Sequence, residues 1–217
     1  MKIIDIDNWK GKNHYLWFKE YAHPYYNITK RVDISKFYQY VKKYNLPFFV
    51  SLMYLVVKAL NEIEEFRLRI VDEKVILYEK ISPAFTLMTE SGIYDNCEVE
   101  FDDFPIYLKN VLANIQAVKV GKVDTPKSYD EQNRQDQFYV TSLPWTDFTS
   151  VTHPMTDNQN DSIPRIAWGK YQFEEDKVMI SLGIQVNHAV VDGYPLAQGF
   201  LKIEEYLNEP EAHLEVK

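Results

Sequence analysis

Apolar and polar positions along the chain follow two rhythms, and the switches between them mark the elements. Ile3 to Asp7 alternates apolar and acidic residues and predicts a short strand. The aromatic-rich segment Lys12 to Tyr21 predicts a helix. Tyr25 to Val32 is alternating and β-branched, so it predicts a strand. Asp33 has the chemistry of an N-cap, and Ile34, Phe37, Tyr38 and Val41 follow at helical spacing. Pro47 opens a second helix through Leu60, apolar around most of its girth and therefore predicted to be buried. Three short strands come next: Phe66 to Val71, Lys74 to Tyr78 and Pro83 to Met88. Asp72 and Glu73 turn the first into the second. Phe104 to Val120 predicts a helix, and Gly121 to Gln135 a long polar loop. Phe138 to Ser142 predicts a strand leading to Pro144 and Trp145, and Thr149 to Ile163 is polar and irregular. Arg165 to Phe173 and Lys177 to Asn187 predict a strand pair joined by Glu174, Glu175 and Asp176. Pro195 to Tyr206 predicts the last helix.

This order lacks regular β-α alternation. It predicts an α+β sandwich, with helices packed on a mixed sheet, in one domain over residues 1–217. The seven glycines are scattered, so no Gly-rich phosphate loop is present. The net charge of −8 argues against a nucleic-acid partner, because phosphate affinity comes from Lys and Arg. The N-terminus has no apolar stretch of signal-peptide length, and the longest apolar run, Leu46 to Val57, is too short to span a bilayer, so a soluble protein without a membrane partner is expected. Cys97 is the only cysteine, which suits a reducing cytoplasm. The 16 Tyr and 12 Phe fit either an aromatic core or an aromatic pocket and subunit interface.

The chemistry concentrates at the end of the strand Lys177 to Asn187. It runs directly into His188, followed by Ala189, Val190, Val191, Asp192 and Gly193. A histidine on a rigid strand end titrates near neutrality and can take a proton from a hydroxyl. Gly193 is expected to allow a sharp turn, and Asp192 to anchor it through hydrogen bonds or a cation. A packed histidine beside an ordinary turn is the plain alternative.

Gln185–Gly193 (QVNHAVVDG) resembles the active-site motif of the chloramphenicol acetyltransferase family, whose fold is shared with the catalytic domains of dihydrolipoyl acyltransferases. Asn8, Trp9, His14 and Tyr15 resemble the family's N-terminal signature. Ser142–Ser150 (SLPWTDFTS) resembles its serine segment, and Lys170 with Tyr171 its Lys-Tyr pair. The likeness extends from about Asp5 to the last helix. It implies a direct acetyl transfer from acetyl-CoA to a hydroxyl, without a metal or an acyl-enzyme. By resemblance His188 is the general base and Ser150 the hydroxyl that binds the oxyanion. Asp192 is then a structural support, and Lys170 and Tyr171 contact CoA. Trp17, Phe18, Tyr26, Arg165 and Ala167 fall where the family has acceptor-pocket walls. The family is a homotrimer with active sites between subunits, so the same is expected here.

Three departures stand out. The family's N-terminal arginine, partner of the motif aspartate, aligns with Gly11, so Lys10 or Lys12 is the expected substitute. Pro195 replaces a second histidine, which implies a reshaped helix start. Arg165 introduces a charge where an apolar antibiotic pocket would not accept an unpaired one. Chloramphenicol O-acetyltransfer is the leading reading. A related acyltransferase with another hydroxyl or thiol acceptor, or a non-catalytic binder of CoA or small molecules, are the alternatives.

Overall fold

The computed structural model describes residues 1–121 and 134–215. Its organising element is strand β10 (Lys177–Asn187). Its alternate residues Val178, Ile180, Leu182, Ile184 and Val186 enter the hydrophobic core. Ser181, Gly183, Gln185 and Asn187 occupy the opposite face and are buried as well. β10 pairs antiparallel with β2 (Tyr25–Asp33) along one edge, Met179 facing Asp33 and Asn187 facing Tyr25. Along the other edge it pairs with β8 (Arg165–Trp168) and β9 (Gln172–Glu174). The sheet continues through β7 (Gln137–Ser142), β5 (Ser82–Met88) and β6 (Tyr94–Glu98), in the order β2-β10-β8-β7-β5-β6. The β8/β7 and β7/β5 pairs are parallel and the others antiparallel, so the sheet is mixed. A second, three-stranded sheet has the order β1-β4-β3, with β1 Lys2–Ile3, β3 Leu68–Val71 and β4 Lys74–Leu77.

Five α-helices occur among the described residues: α1 (Lys12–Phe18), α2 (Ser35–Lys43), α3 (Phe48–Asn61), α4 (Phe104–Lys119) and α5 (Gly193–Asn208). α3 is buried on nearly every side, as its continuous apolar run requires, and touches α2, α4, α5, β5 and β7. No helix among the described residues is long and apolar enough to cross a membrane.

Several local expectations change. The first strand stops at Ile3, because Asp5 accepts the N–H of Asp7 and starts a short 3-10 turn over Ile6–Asn8. Phe66 and Arg67 belong to a 3-10 turn over Glu64–Arg67, not to β3. Ile34 takes the cap position of α2, while the Asp33 carboxylate accepts from the Ser35 N–H at 2.9 Å. Arg165 to Phe173 is interrupted at Gly169, Lys170 and Tyr171, where the main chain of Thr146 docks: the Lys170 N–H donates to Thr146 O at 2.8 Å. β6 is a strand that alternation does not reveal, being mostly polar. The Asp72-Glu73 hairpin forms with both residues at positive φ, 48° and 61°. The loop expected over Gly121 to Gln135 falls largely on residues 122–133, outside the described residues.

Arg69 joins the two sheets. It is fully buried and donates to four main-chain carbonyls: Phe66, Leu68, Gln135 and Gln137, at 2.7–2.9 Å. Burial pulls its pKa down to about 9, which still leaves it charged at neutral pH. Arg69→Met strips these carbonyls of their donor, and the expected cost is about 2–4 kcal/mol. Urea unfolding of variant and parent measures it; a midpoint unchanged at equal slope contradicts this role.

Candidate active site

The chain turns out of β10 under tight control. The His188 N–H donates to Pro24 O at 2.6 Å. The Asn187 amide donates to Gln159 O and Asp161 O at 2.9 and 3.0 Å, and its oxygen accepts the Ala189 N–H at 2.9 Å. Ala189, Val190 and Val191 are then buried in the core. The apolar filler of the motif thus anchors the turn, while the His188 ring stays half-exposed.

That ring is gripped on several sides. Phe18 stacks on it with centroids 4.1 Å apart and planes 6° apart, and Tyr26 lies at 4.4 Å. His14 precedes Phe18 by one helical turn of α1, so both face His188. His14 Nε2 lies 3.1 Å from His188 Nδ1 and also meets the main-chain oxygen of His188. On its other side His14 Nδ1 lies 3.9 Å from Asp192 Oδ2. Asp192 caps α5 by accepting the Gly193 N–H at 2.6 Å. The Tyr26 hydroxyl donates to Val191 O at 3.2 Å. Burial, and then the Asp192 charge, push its pKa well up, so the phenol remains protonated.

His14 therefore occupies the position expected of a lysine. Lys10 pairs with Glu65 at 3.3 Å and Lys12 with Asp7 at 2.6 Å, and neither pairs with Asp192. At Gly11 a Cβ would lie 2.5 Å from the Trp9 ring, so a larger residue there requires Trp9 to move. His14 was legible only as part of the N-terminal signature; its contact with His188 spans 174 residues. Gly193 does not play its expected part. Its φ is not positive, and a Cβ at this position would meet nothing within 4 Å, so the turn does not depend on glycine. Pro195 fits the first turn of α5, where its missing N–H has no helical partner to lose.

Ser150 lies elsewhere in the chain and is exposed. Its neighbour Val151 packs over Gly183, where an added Cβ would come within 2.7 Å of it. Gly183 precedes His188 by five residues, about 16 Å along a strand. No hydrogen bond joins Ser150 to His188 among the described residues. Trp17 is 69% exposed, donates to the Tyr21 hydroxyl at 3.1 Å and lines neither of the two hollows described next. Ala167 is fully buried between Thr141 and Gly183 on the sheet.

Two hollows flank β5. One, of about 440 Å³, is mainly apolar, with Phe48, Phe49, Trp145, Trp168, Lys170 and Tyr171 in its wall. The other, of about 520 Å³, is lined by Thr86, Asn96, Thr141, His153, Asp161 and Arg165, with apolar residues between them. Phe85 and Thr86 belong to both walls. Arg165 is not an unpaired charge: Asp161 receives its guanidinium at 2.6 and 3.3 Å, and Ile163 O accepts at 2.9 Å. Burial and the nearby Arg165 charge lower the His153 pKa, which favours a neutral imidazole.

The chloramphenicol acetyltransferase family model matches residues 1–203. A chloramphenicol acetyltransferase of Escherichia coli is 28% identical over 208 residues, covering 95% of this chain and 93% of that protein. A solved chloramphenicol acetyltransferase superposes with a TM-score of 0.82 at 25% identity, over 95% of this chain and 99% of the other. The dihydrolipoamide acetyltransferase of Azotobacter vinelandii shares the fold, with a TM-score of 0.66 at 15% identity over 94% of this chain and 89% of its own. A sheet of this order, helices packed against it and a histidine gripped at the end of its longest strand are thus features of an acyltransferase, and the chain belongs to the chloramphenicol acetyltransferase family.

Proposed function

We propose that this chain transfers the acetyl group of acetyl-CoA to a hydroxyl of a small neutral acceptor, with chloramphenicol as the leading candidate. The observation that carries the reading is the grip on His188. Phe18 and Tyr26 fix its plane, and His14 engages Nδ1. The base is Nε2 of His188 in the tautomer that carries its proton on Nδ1; His14, whose Nε2–H donates to the main-chain oxygen of His188, holds the residue in place without selecting that tautomer. The base takes the acceptor's hydroxyl proton as the oxygen attacks the thioester carbon. The tetrahedral oxyanion receives a hydrogen bond from the Ser150 hydroxyl. Collapse breaks the C–S bond, and the departing thiolate takes the proton from His188 to leave as CoA-SH. Asp192 supports this arrangement without touching the reacting atoms.

The mainly apolar hollow fits the pantetheine arm, with Lys170 directed to phosphate and Tyr171 to the adenosine end. The second hollow fits the acceptor, and the shared wall of Phe85 and Thr86 brings the two substrates together. Its Arg165–Asp161 pair, Thr86, Asn96 and His153 favour a second reading, in which the acceptor is a more polar neutral hydroxyl compound.

Val151 packs over Gly183, five residues before His188 on the strand, and we infer that a complete site draws its Ser150 from a second copy. We take the assembly to be a homotrimer of single-domain chains working in the cytoplasm, with each site at a subunit boundary. Trp17 and Tyr194, both largely exposed, supply apolar surface near His188 for that contact.

Purified enzyme with acetyl-CoA and a panel of acceptors headed by chloramphenicol should release CoA-SH. His188→Ala should lower the rate ~10²–10⁴-fold. Ser150→Ala should lower kcat roughly a hundredfold. Release no faster in the parent than in His188→Ala, across the whole panel, refutes the reading.

Unfolding and refolding the two inactive variants together tests the shared site. In random mixed trimers about a quarter of the sites pair an intact His188 with a neighbour's intact Ser150. Activity should return to about that fraction of the parent's. No recovery places both groups within one chain and removes the subunit-boundary site.

A further inference from the structure

We propose that Arg31 is a positioning residue: its guanidinium clamps the segment that carries Ser150 and so sets where the oxyanion donor stands. Ser150 is exposed, and no hydrogen bond among the described residues holds it directly. Its place is therefore set by its flanks. On one side Val151 packs over Gly183. On the other, Asp147 Oδ2 accepts from Arg31 Nη1 at 2.5 Å. The second oxygen, Oδ1, accepts the Phe148 N–H at 2.9 Å, which ties the carboxylate to the main chain leading to Ser150. Arg31 is itself fixed from two further sides: Nη1 also reaches Ser181 Oγ at 3.3 Å, and Nη2 donates to Glu174. Ser181 faces Arg31 across β2 and β10, and Glu174 ends β9. A planar guanidinium holds carboxylates from two segments at once, whereas an ammonium is a single point charge.

The clamped segment is wedged between β2 and the strand break after Trp168. Asp147 packs against Gly169, where an added Cβ would come within 3.1 Å of the Asp147 Cα, and the Lys170 N–H donates to Thr146 O at 2.8 Å. Arg31 lines neither hollow, so it touches neither substrate in the proposed site. Its influence passes through Ser150. An oxyanion donor acts only within hydrogen-bond reach of charge that forms in the transition state, and a misplacement of about 1 Å costs on the order of a hundredfold in rate. Loss of the clamp therefore acts on kcat and leaves the binding of the acceptor alone. The effect on transfer rests on the acetyl-transfer reading; the clamp itself does not.

The clamp is read first on the full-length protein without substrate, by amide hydrogen exchange. Arg31→Gln should speed exchange of the Lys170 N–H about tenfold or more, while amides in the centre of β10 keep their rates. Asp147→Asn, nearly the same in shape and still able to accept the Phe148 N–H, should do the same, with circular dichroism establishing that both variants are folded. Exchange at Lys170 unchanged in both variants overturns the clamp. Transfer is then followed as CoA-SH release. Arg31→Gln and Asp147→Asn should each lower kcat and kcat/KM for the acceptor together, about ten- to a hundredfold, with KM unchanged. Added to Ser150→Ala, neither should lower the rate further. An unchanged kcat, or a loss of the same size whether or not Ser150 is present, overturns the positioning role. If exchange rises as described while the parent acetylates nothing, the transfer reading fails and the clamp stands.

Discussion

The double-sided burial of β10 is the constraint on which the rest of the structure depends. A strand buried on both faces loses its solvent on every side, so its backbone must be paired along both edges. β2 occupies one edge, and β8 with β9 the other. Its inward residues pack into the helical core, each contributing about 1.5–3 kcal/mol by burial. Its outer residues are covered by the irregular segment that follows Ser150. Gly183 permits that cover, because Val151 occupies the space a side chain would need. The histidine at the strand's end inherits this rigidity.

Rigidity at one end does not itself make a base. The imidazole must also be held in one place and one plane. Phe18 stacks on it, Tyr26 closes another side, and His14 meets Nδ1. All three come from the first 26 residues, whereas His188 lies near the other end of the chain. The pairing of Tyr25 with Asn187 brings these regions together. His14 also supplies the link to Asp192 that Gly11 cannot. An imidazole offers one nitrogen to each side, where a guanidinium forks to a single carboxylate. Contacts to the turn and to the candidate base thus pass through one ring.

In the proposed function, the two hollows that share Phe85 and Thr86 divide the substrates by chemistry. Aromatic walls suit a flexible, uncharged arm. Hydrogen-bonding side chains and an ion pair closed upon itself suit a neutral acceptor with polar groups. Because Asp161 neutralises Arg165, the second hollow presents donors and acceptors without a net field that would attract an anion.

Much of this was written in local pattern. Period-2 alternation placed β2 and β10, helical spacing placed α2, and the continuous apolar run of α3 foretold its burial. The run from Gln185 to Gly193 pointed to His188 as the candidate base, and Ser142 to Ser150 pointed to Ser150 as the candidate oxyanion donor. What local pattern cannot contain is a contact between distant segments. Thr146 breaking the strand after Trp168 was set by packing, as were the polar strand β6, the partner of Arg165 and the lysines' preference for Glu65 and Asp7. His14 is the clearest case. The sequence by itself determined that a histidine stands in the first helix and another at the end of the last long strand. Only the tertiary structure decided that they meet, because the meeting depends on how β2 registers against β10, and no residue along either segment encodes that distance alone.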